Sequence, residues 1–365
     1  MKNLISLFFV ALLLGQCSTS VNKNSTEPVA LKSVYNDYFT LGMAINNRLL
    51  NSADTVLVNY HFGSITPENC MKPESLQPSE GVWNWEQADA LVAYAKTNNL
   101  KIHGHCLVWH EQTPDWFFID GDKPASKELL FNRMKNHITT VMHRYKGDVQ
   151  SWDVVNEAVA DESTRIYREK DSPWYQITGS EFISKAFEFA HEADPDALLF
   201  YNDYNSARPE KRERIYTLLK TLVDSGVPIH GIGLQGHWSI YEPSEENLRN
   251  AIEQFSSLGL QVRITELDIS MYLWEKERRE VLPDETISYT PKWQQKQDKQ
   301  YEMIFRVCRE NKEVVTGITF WGLVDNNSWL NNYPAKGRKN YPLLFDENRQ
   351  PKSCFYSITE FKNTP

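Results

Sequence analysis

Residues 151–159 read SWDVVNEAV, and this stretch decides how the rest of the chain is interpreted. Trp152 to Asn156 have the aromatic and β-branched side chains typical of a short buried strand. Glu157 follows at once, so an ionisable carboxylate lies where an apolar strand is predicted to end. That placement is explained if many such strands end at one common site, and the remaining sequence supplies those strands.

Short apolar runs alternate with longer amphipathic segments along most of the chain. The eight candidate strands are residues 39–45, 64–65 (leading into Pro67), 102–109, 149–155, 197–201, 229–234, 262–265 and 317–321. Candidate helices between them include residues 85–96, 181–192 and 215–223, where apolar side chains recur every three or four positions. The eight repeats average about 40 residues each, which predicts an α/β fold with a parallel sheet, a (β/α)8 TIM barrel forming a single domain.

A doubly wound sheet is the alternative architecture for alternating strands and helices. Its usual nucleotide sites are missing, because neither GxGxxG nor GxxxxGK[ST] follows any candidate strand. The (β/α)8 barrel is therefore the favoured fold.

The bulk composition narrows the classes of function. The chain has 365 residues, of which 41% are hydrophobic and 24% charged, as is ordinary for a soluble globular protein. A net charge of −9 gives no electrostatic support to a nucleic-acid partner and fits poorly with adsorption to anionic membranes. The 11 Trp and 17 Tyr fit either a large core or a groove lined with flat rings, which suits the faces of sugars.

The N-terminus is not expected to belong to the fold. Lys2 precedes an apolar run over residues 4–15, which is too short for a comfortable membrane span, and residues 1–17 are predicted to be a signal peptide. Cys17 is placed like the acylated cysteine of a bacterial lipoprotein, although Gln16 is bulkier than the small residue expected before such a cysteine. An exported protein with a lipid anchor at Cys17 is one expectation, and plain secretion is the other.

The segment after the signal peptide is polar. Residues 18–32 are predicted to be a tether, and residues 33–365 the barrel domain, which we expect to be a monomer. The cysteines that follow Cys17 show no disulfide framework in their spacing and contain no CxxC pair. We expect buried free thiols, rather than disulfides, at Cys70, Cys106, Cys308 and Cys354.

Side chains at the carboxyl ends of the strands surround the active site of a (β/α)8 barrel. The fourth and seventh predicted strands each end in a glutamate, Glu157 and Glu266. Because they are close to three repeats apart, we expect these two strands to lie across the barrel from each other. A single glutamate at a strand end is more often a helix N-terminal charge or an ion-pair partner, but two in equivalent positions favour a shared site.

Two carboxylates that face each other across a cleft are what cleavage of a glycosidic bond requires. One must arrive protonated to give its proton to the leaving oxygen, and the other must be ionised to attack the anomeric carbon. In retaining enzymes they are about 5–5.5 Å apart, so the negative charge on one helps to keep the proton on the other. The pair of glutamates therefore predicts a glycosidase.

Histidines and tryptophans at the predicted strand ends fit the same site. His105, His110 and His237 all fall there, which favours site histidines, whereas His103 and His137 keep the ordinary interpretation as core residues. A hydrogen-bond relay from Asp268 through His237 would hold Glu266 ionised. The tryptophans at the open end of the barrel, which favour sugar-facing rings over core packing, are Trp109, Trp321 and Trp329.

Eight ordered motifs, spread over roughly residues 31–356, resemble those of glycoside hydrolase family 10, the retaining endo-β-1,4-xylanases. They are ITPENCMK (65–72), GHCLVWHEQTPDWF (104–117), SWDVVNEA (151–158), LFYNDYN (199–205), GIGLQGHW (231–238), VRITELDIS (262–270), FWGLVDNNSW (320–329) and PLLFDENRQPK (342–352). The resemblance implies endo-acting hydrolysis of β-1,4-xylosidic bonds in xylan or xylo-oligosaccharides, with no cofactor and no metal.

The resemblance also implies a role for each matching residue near the reaction. Glu157 matches the acid/base and Glu266 the nucleophile. His237 and Asp268 match the pair that orients and tunes the nucleophile. Asn156 matches the amide that binds the 2-hydroxyl of the sugar under attack.

Sugar-binding positions match as well. Residues that match the binding of sugars on the non-reducing side are Glu68, Asn69 and Lys72, and those that match the walls around the reacting sugar are His105, Trp109, Gln112, Gln235, His237, Trp321 and Trp329. Tyr204 matches a platform on the leaving-group side. In the family, Gln112 and Trp329 crowd the space that a hydroxymethyl group would need, which favours xylose over glucose.

The chain departs from the family pattern in three places. Cys106 stands where Thr is more frequent, and Glu111 stands where Ser is common, which adds a negative charge near the groove. Residues 272–295 form a long segment after the seventh strand, and a solvated connecting loop is its favoured interpretation. Its Trp274 and Trp293 leave open a role in shaping the leaving-group subsites.

Three other functions compete with xylan hydrolysis. A metal-dependent amidohydrolase barrel would use an HxH pair such as His103 and His105, but that pattern belongs at the first strand with further His and Asp ligands, and here the later ends carry Glu and Gln. A non-catalytic glycan-binding barrel would keep the groove without the reaction. A related β-1,4-glucanase would differ only in the sugar that it accepts.

Overall fold

The computed structural model describes residues 28–285 and 288–361. The predicted signal peptide with Cys17, and most of the predicted tether, lie outside the described residues. The tether ends earlier than predicted, because Leu31–Val34 form a short helix and the Leu31 side chain is fully buried in the core. The folded part of the chain therefore begins before residue 33.

Eight parallel strands close into one barrel. They are β1 (Thr40–Ile45), β2 (Ser64–Pro67), β3 (Lys101–Trp109), β6 (Ser151–Asn156), β7 (Leu198–Asp203), β8 (Gly231–Ser239), β9 (Gln261–Ser270) and β10 (Val315–Phe320). Their order around the barrel is β1-β10-β9-β8-β7-β6-β3-β2. A separate antiparallel pair, β4 (Ile119–Asp120) and β5 (Lys123–Pro124), lies outside the barrel. All eight predicted strands and the (β/α)8 fold are confirmed.

Helices connect and surround the barrel strands. They are α1 (Leu31–Val34), α2 (Asn47–Leu50), α3 (Thr55–His61), α4 (Pro73–Leu76), α5 (Glu86–Thr97), α6 (Lys127–Arg144), α7 (Pro173–Thr178), α8 (Glu181–Ala193), α9 (Pro209–Asp224), α10 (Glu245–Ser256), α11 (Pro291–Glu310) and α12 (Ser353–Thr359). Single 3-10 turns lie at Asp115–Phe117, Pro283–Glu285, Asp325–Asn327 and Trp329–Asn331. In the described part of the chain, no helix is both long and apolar enough to cross a membrane.

Helix α5 illustrates how the apolar pattern fixes the packing. Its buried residues are Ala88, Leu91, Val92 and Ala95, which have the three- and four-residue spacing that predicts a helix over residues 85–96. Spacings of three and four residues place these side chains on one face of a helix, so the face that they form packs against the barrel.

The sixth and seventh barrel strands in chain order, β8 and β9, run further than the apolar runs predict. Gln235 and His237 lie inside β8, and Glu266 and Asp268 lie inside β9, rather than after the strand ends. The ladder continues because His237 pairs with Asp268 after a register shift that follows Gln235. Polar side chains end a hydrophobic pattern but need not end a strand, since the backbone groups can still pair across the sheet.

The cysteines behave as predicted. Among the described residues all four cysteines are free and buried. Burial raises the pKa of Cys70 to about 12 and that of Cys308 and Cys354 likewise to about 12, so these thiols stay neutral and unreactive.

Gly104 on β3 gives a direct test of barrel packing. A Cβ atom at this position would lie 2.2 Å from Cε3 of Trp152, whose side chain is buried on the neighbouring strand β6. We expect Gly104→Ala to lower the free energy of unfolding by about 2 kcal/mol, because a packed indole cannot move aside cheaply.

Urea unfolding followed by circular dichroism measures this change. Gly63→Ala is the matched control, since the nearest atom to its added Cβ would be 3.9 Å away. Equal stability of the two variants would contradict the close packing of Gly104 against Trp152.

Candidate active site

A cleft of about 830 Å³ opens at the carboxyl ends of the barrel strands. Both predicted carboxylates, Glu157 and Glu266, line it. It is also lined by the predicted residues Lys72, His105, Trp109, Gln112, Asn156, Tyr204, Gln235, His237, Trp321 and Trp329. The barrel therefore brings residues from at least seven strand ends into one space.

The two glutamates share an unusual backbone conformation. Glu157 has φ 57° and Glu266 has φ 58°, both in the left-handed region that non-glycine residues rarely adopt. Such backbone strain is held only where the surroundings over-determine it, and it is concentrated at functional sites. Each glutamate side chain is thereby turned into the cleft from a strand of the barrel wall.

The carboxylate of Glu157 accepts hydrogen bonds from three neighbours. Its Oε2 accepts from Trp109 Nε1 at 3.0 Å, and its Oε1 accepts from Gln235 Nε2 at 2.9 Å and from Asn156 Nδ2 at 3.3 Å. The backbone carbonyl of Glu157 accepts from Arg168 Nε at 2.7 Å. Side chain and backbone are both fixed, but the carboxylate remains at the cleft surface.

The carboxylate of Glu266 is buried, and both of its oxygens accept hydrogen bonds. Its Oε1 accepts from Asn202 Nδ2 at 2.7 Å, and its Oε2 accepts from His237 Nε2 at 3.0 Å. Burial raises the pKa of Glu266, but the hydrogen bond from His237 and the charges of His105 and His237 outweigh burial, so the pKa lies below its usual value. Glu266 is therefore ionised at neutral pH.

His237 lies between two carboxylates. Its Nδ1 donates to Asp268 Oδ2 at 3.0 Å, which also accepts from Trp329 Nε1 at 2.8 Å. Burial lowers the pKa of His237, but Asp268 and Glu266 outweigh burial and raise it to about 10. The predicted relay from Asp268 through His237 to Glu266 is present, and it carries a positive charge beside the nucleophile candidate.

Asn202 on β7 joins the two halves of the site and is not among the predicted site residues. Its Nδ2 donates both to Asn156 Oδ1, at 2.9 Å, and to Glu266 Oε1, while its Oδ1 accepts from Thr265 Oγ1 at 2.6 Å. The side chain is fully buried. Its position at the end of a predicted strand was the available signal, but four polar residues follow one another there and only the structure separates them.

The HxH pair binds an aspartate. His103 Nε2 and His105 Nδ1 contact the two oxygens of Asp153 at 3.0 and 2.9 Å. Burial raises the pKa of Asp153, but the two histidines outweigh burial and hold it well below its usual range. In the described residues no group of three His, Cys, Asp or Glu side chains is arranged to hold a metal ion.

The residues predicted on the non-reducing side form a second set. Lys72 Nζ donates to Asn69 Oδ1 at 3.0 Å and to Gln112 Oε1 at 2.8 Å. Glu68 lines an adjoining pocket of about 230 Å³, where it accepts from Asn46 Nδ2 at 2.8 Å. Trp321 and Trp329 line both spaces, so the cleft continues past these rings to Glu68.

The segment after β9 does more than connect two elements. Trp274 and Arg278 line the cleft, and the Trp274 ring stacks on Tyr204 at 5.7 Å between centroids. The favoured interpretation as a solvated loop is therefore wrong for this half of the segment. Trp293 instead belongs to helix α11 and packs edge-on against Tyr272, with ring centroids 5.6 Å apart.

The chain matches a known family along nearly its whole described length. The sequence model of glycosyl hydrolase family 10 matches residues 30–361. An endo-1,4-beta-xylanase B from Paenibacillus barcinonensis is 44% identical over 92% of this chain and 98% of its own. An endo-1,4-beta-xylanase from Geobacillus stearothermophilus is 46% identical over 90% of this chain and 97% of its own.

Solved structures agree with the sequence comparison. The crystal structure of a P. barcinonensis xylanase in complex with a conduramine derivative superposes with a TM-score of 0.86 at 44% identity, covering 92% of this chain and 99% of the other. That of an endo-1,4-beta-xylanase from Caldicellulosiruptor owensensis gives 0.86 at 43% identity, covering 92% of this chain and all of the other.

The contact between His237 and Glu266 predicts a change in carboxyl ionisation. Replacing His237 with Asn removes the positive charge that lowers the pKa of Glu266, so this pKa should rise toward the value that burial alone imposes. A pH titration of ¹³C-labelled glutamate carboxyl groups by NMR measures it directly. The exposed His143→Asn is the control and should leave Glu266 unchanged. A Glu266 titration that is the same in both variants would contradict the assignment.

Proposed function

The chain belongs to glycosyl hydrolase family 10, and on that premise we propose that it is an endo-1,4-β-xylanase that cleaves β-1,4-xylosidic bonds within xylan. Glu157 is the general acid/base and Glu266 the nucleophile of a double displacement with retained anomeric configuration. The observation that carries this proposal is the contrast between the two carboxylates: Glu266 is buried and ionised by His237, whereas Glu157 stays at the cleft surface.

The first displacement uses the two glutamates in opposite roles. A carboxylate oxygen of Glu266 attacks the anomeric carbon and forms a glycosyl ester, while Glu157 gives its proton to the departing glycosidic oxygen. The bond between the anomeric carbon and that oxygen breaks, and the leaving part of the chain departs with a new hydroxyl group. The ionised state of Glu266 suits it to attack without a base of its own.

The second displacement regenerates the enzyme. Glu157, now a carboxylate, removes a proton from a water molecule that attacks the anomeric carbon on the opposite face from the ester. The ester bond breaks and Glu266 returns to its ionised form, between the donors of Asn202 and His237. Two inversions at one carbon give a product with the original β configuration.

Positioning of the reacting sugar falls to the amides around Glu157. Asn156 is held by Asn202 and by Gln235 Nε2, which donates to its Oδ1 at 3.1 Å. This arrangement fixes the amide beside the nucleophile, where it suits the 2-hydroxyl of the sugar under attack. Preorganised donors of this kind stabilise the transition state without reorganising during the reaction.

A preference for xylose follows if Gln112 and Trp329 crowd the space around the reacting sugar. Gln112 is fixed by Lys72, whose ammonium also lies 4.9 Å from the Trp109 ring centroid. Trp329 is fixed by its hydrogen bond to Asp268. With both side chains held by hydrogen bonds, the hydroxymethyl group of glucose would have to displace them, so a β-1,4-glucanase activity should be weak.

We also propose that the protein is exported and acts as a monomer at the cell envelope or outside the cell. The apolar run over residues 4–15 and the placement of Cys17 support export with or without a lipid anchor. Mass spectrometry of the mature N-terminus distinguishes a lipidated Cys17 from a free terminus.

Substitution of the acid/base separates its two roles. Glu157→Ala should lower kcat/KM on xylan by about 10³-fold, because the leaving sugar then departs without a proton. Aryl xylobiosides with good leaving groups should keep much of their kcat/KM, since they need no proton. Reducing-sugar release and aryl release measure the two, and equal losses would contradict the assignment.

Substitution of the nucleophile is the companion test. Glu266→Ala should abolish hydrolysis of both substrates, because the carboxylate that forms the glycosyl ester is then missing. For the wild type, ¹H NMR of the first product should show the β-anomer. An α-anomer as the first product would contradict the double displacement.

The relative activity on xylan and on cellulose tests the choice of sugar. Equal activity on the two would contradict the xylanase proposal and favour a glucanase.

A further inference from the structure

Asp161 lies in the loop after β6 and contacts elements that follow three different strands. Its carboxylate accepts from the Tyr204 hydroxyl, which follows β7, at 2.7 Å to each oxygen. It also pairs with Lys276, which follows β9, at 2.5 Å. One carboxylate therefore links three loops on the leaving-group side of the cleft.

Two buried cations complete this cluster. Arg168 Nη1 and Lys211 Nζ lie 3.3 and 3.2 Å from Asp161 oxygens, and both side chains are only 4% exposed. Lys211 Nζ also lies 3.4 Å from the Tyr204 ring centroid and pairs with Asp203 at 2.8 Å. Burial raises the pKa of Asp161, but Lys211 and Arg168 outweigh burial and hold it well below its usual range.

The cluster contacts both Tyr204, the platform for the leaving sugar, and Glu157, which gives that sugar its proton. Arg168 donates through Nη2 to the Tyr204 hydroxyl at 2.5 Å and through Nε to the backbone carbonyl of Glu157. Through Lys276, Asp161 holds the segment that carries Trp274, whose ring stacks on Tyr204. Asp161 does not line the cleft in the way that Tyr204 and Arg168 do, so its influence passes through them.

We propose that Asp161 is a positioning residue that fixes the leaving-group subsites and aligns them with the acid/base Glu157. This inference rests on the proposed function and deepens it by assigning the selectivity for the leaving sugar. Without the Asp161 charge, Arg168 and Lys211 are buried cations with one partner fewer, and Lys276 is released. The Tyr204 ring and the Glu157 backbone then lose a common anchor.

The consequence depends on the substrate. A xylan chain places sugars on the leaving-group side and needs a proton from Glu157, so a misplaced Tyr204 and Glu157 slow its cleavage. Dinitrophenyl β-xylobioside places no sugar there and needs no proton in the first step, which is the step that kcat/KM reports. Only the first substrate should sense Asp161.

The test compares kcat/KM of both substrates for Asp161→Asn, with the exposed neighbour Glu162→Gln as a control of equal charge change. We expect Asp161→Asn to lose about tenfold on xylan, since small misplacements of reacting groups carry costs of this order. On dinitrophenyl β-xylobioside its loss should be under about twofold, and Glu162→Gln should match the wild type on both. Lys276→Met, which leaves the buried cations paired, should show the same substrate selectivity with a smaller loss.

The ratio of the two kcat/KM values is the deciding quantity, because a partly unfolded preparation lowers both equally. A ratio unchanged from the wild type in Asp161→Asn overturns the inference, whether activity is kept or lost on both substrates. A wild type that does not cleave xylan at all would instead overturn the proposed function.

Discussion

The amide of Asn202 is the contact on which the site depends, because it joins three strands of the barrel, β6, β7 and β9, beside the two glutamates. One Nδ2 donates to Asn156 on β6 and to Glu266 on β9, and the Oδ1 accepts from Thr265. Both Nδ2 and Oδ1 of this fully buried amide are hydrogen-bonded, and buried polar groups that are fully paired rigidify their surroundings. The closed barrel makes the arrangement possible, since β7 pairs with β6 on one side and only β8 separates it from β9 on the other.

Burial and neighbouring charges together decide which side chains of the site are ionised. A buried carboxylate ordinarily takes up a proton, and Glu266 escapes this because a positively charged His237 contacts it. His237 in turn keeps its charge because Asp268 lies on its other side. A carboxylate, an imidazolium and a second carboxylate in line thus hold a reactive anion in a site largely removed from water. The same logic of shared charge recurs around Asp161 on the leaving-group side.

Much of this architecture could be predicted from the sequence, and the remainder depends on geometry that no pattern carries. Apolar runs at a regular repeat locate all eight strands, and Glu157 and Glu266 stand out because acids are unexpected there. Their left-handed backbones leave no sequence signal. Asn202 is one of several adjacent polar residues. The pair of Asp161 and Lys276 joins loops 115 positions apart, which periodicity cannot reveal.

Trapping of the covalent intermediate tests the central claim most directly. A dinitrophenyl 2-deoxy-2-fluoro-β-xylobioside forms the ester readily through its good leaving group, whereas the fluorine slows its hydrolysis. Mass spectrometry of the digested protein should then place one fluoroxylobiosyl group on Glu266, and none on the Glu266→Ala variant. A label on Glu157, or hydrolysis of the reagent with no labelled peptide at any time, would contradict the account.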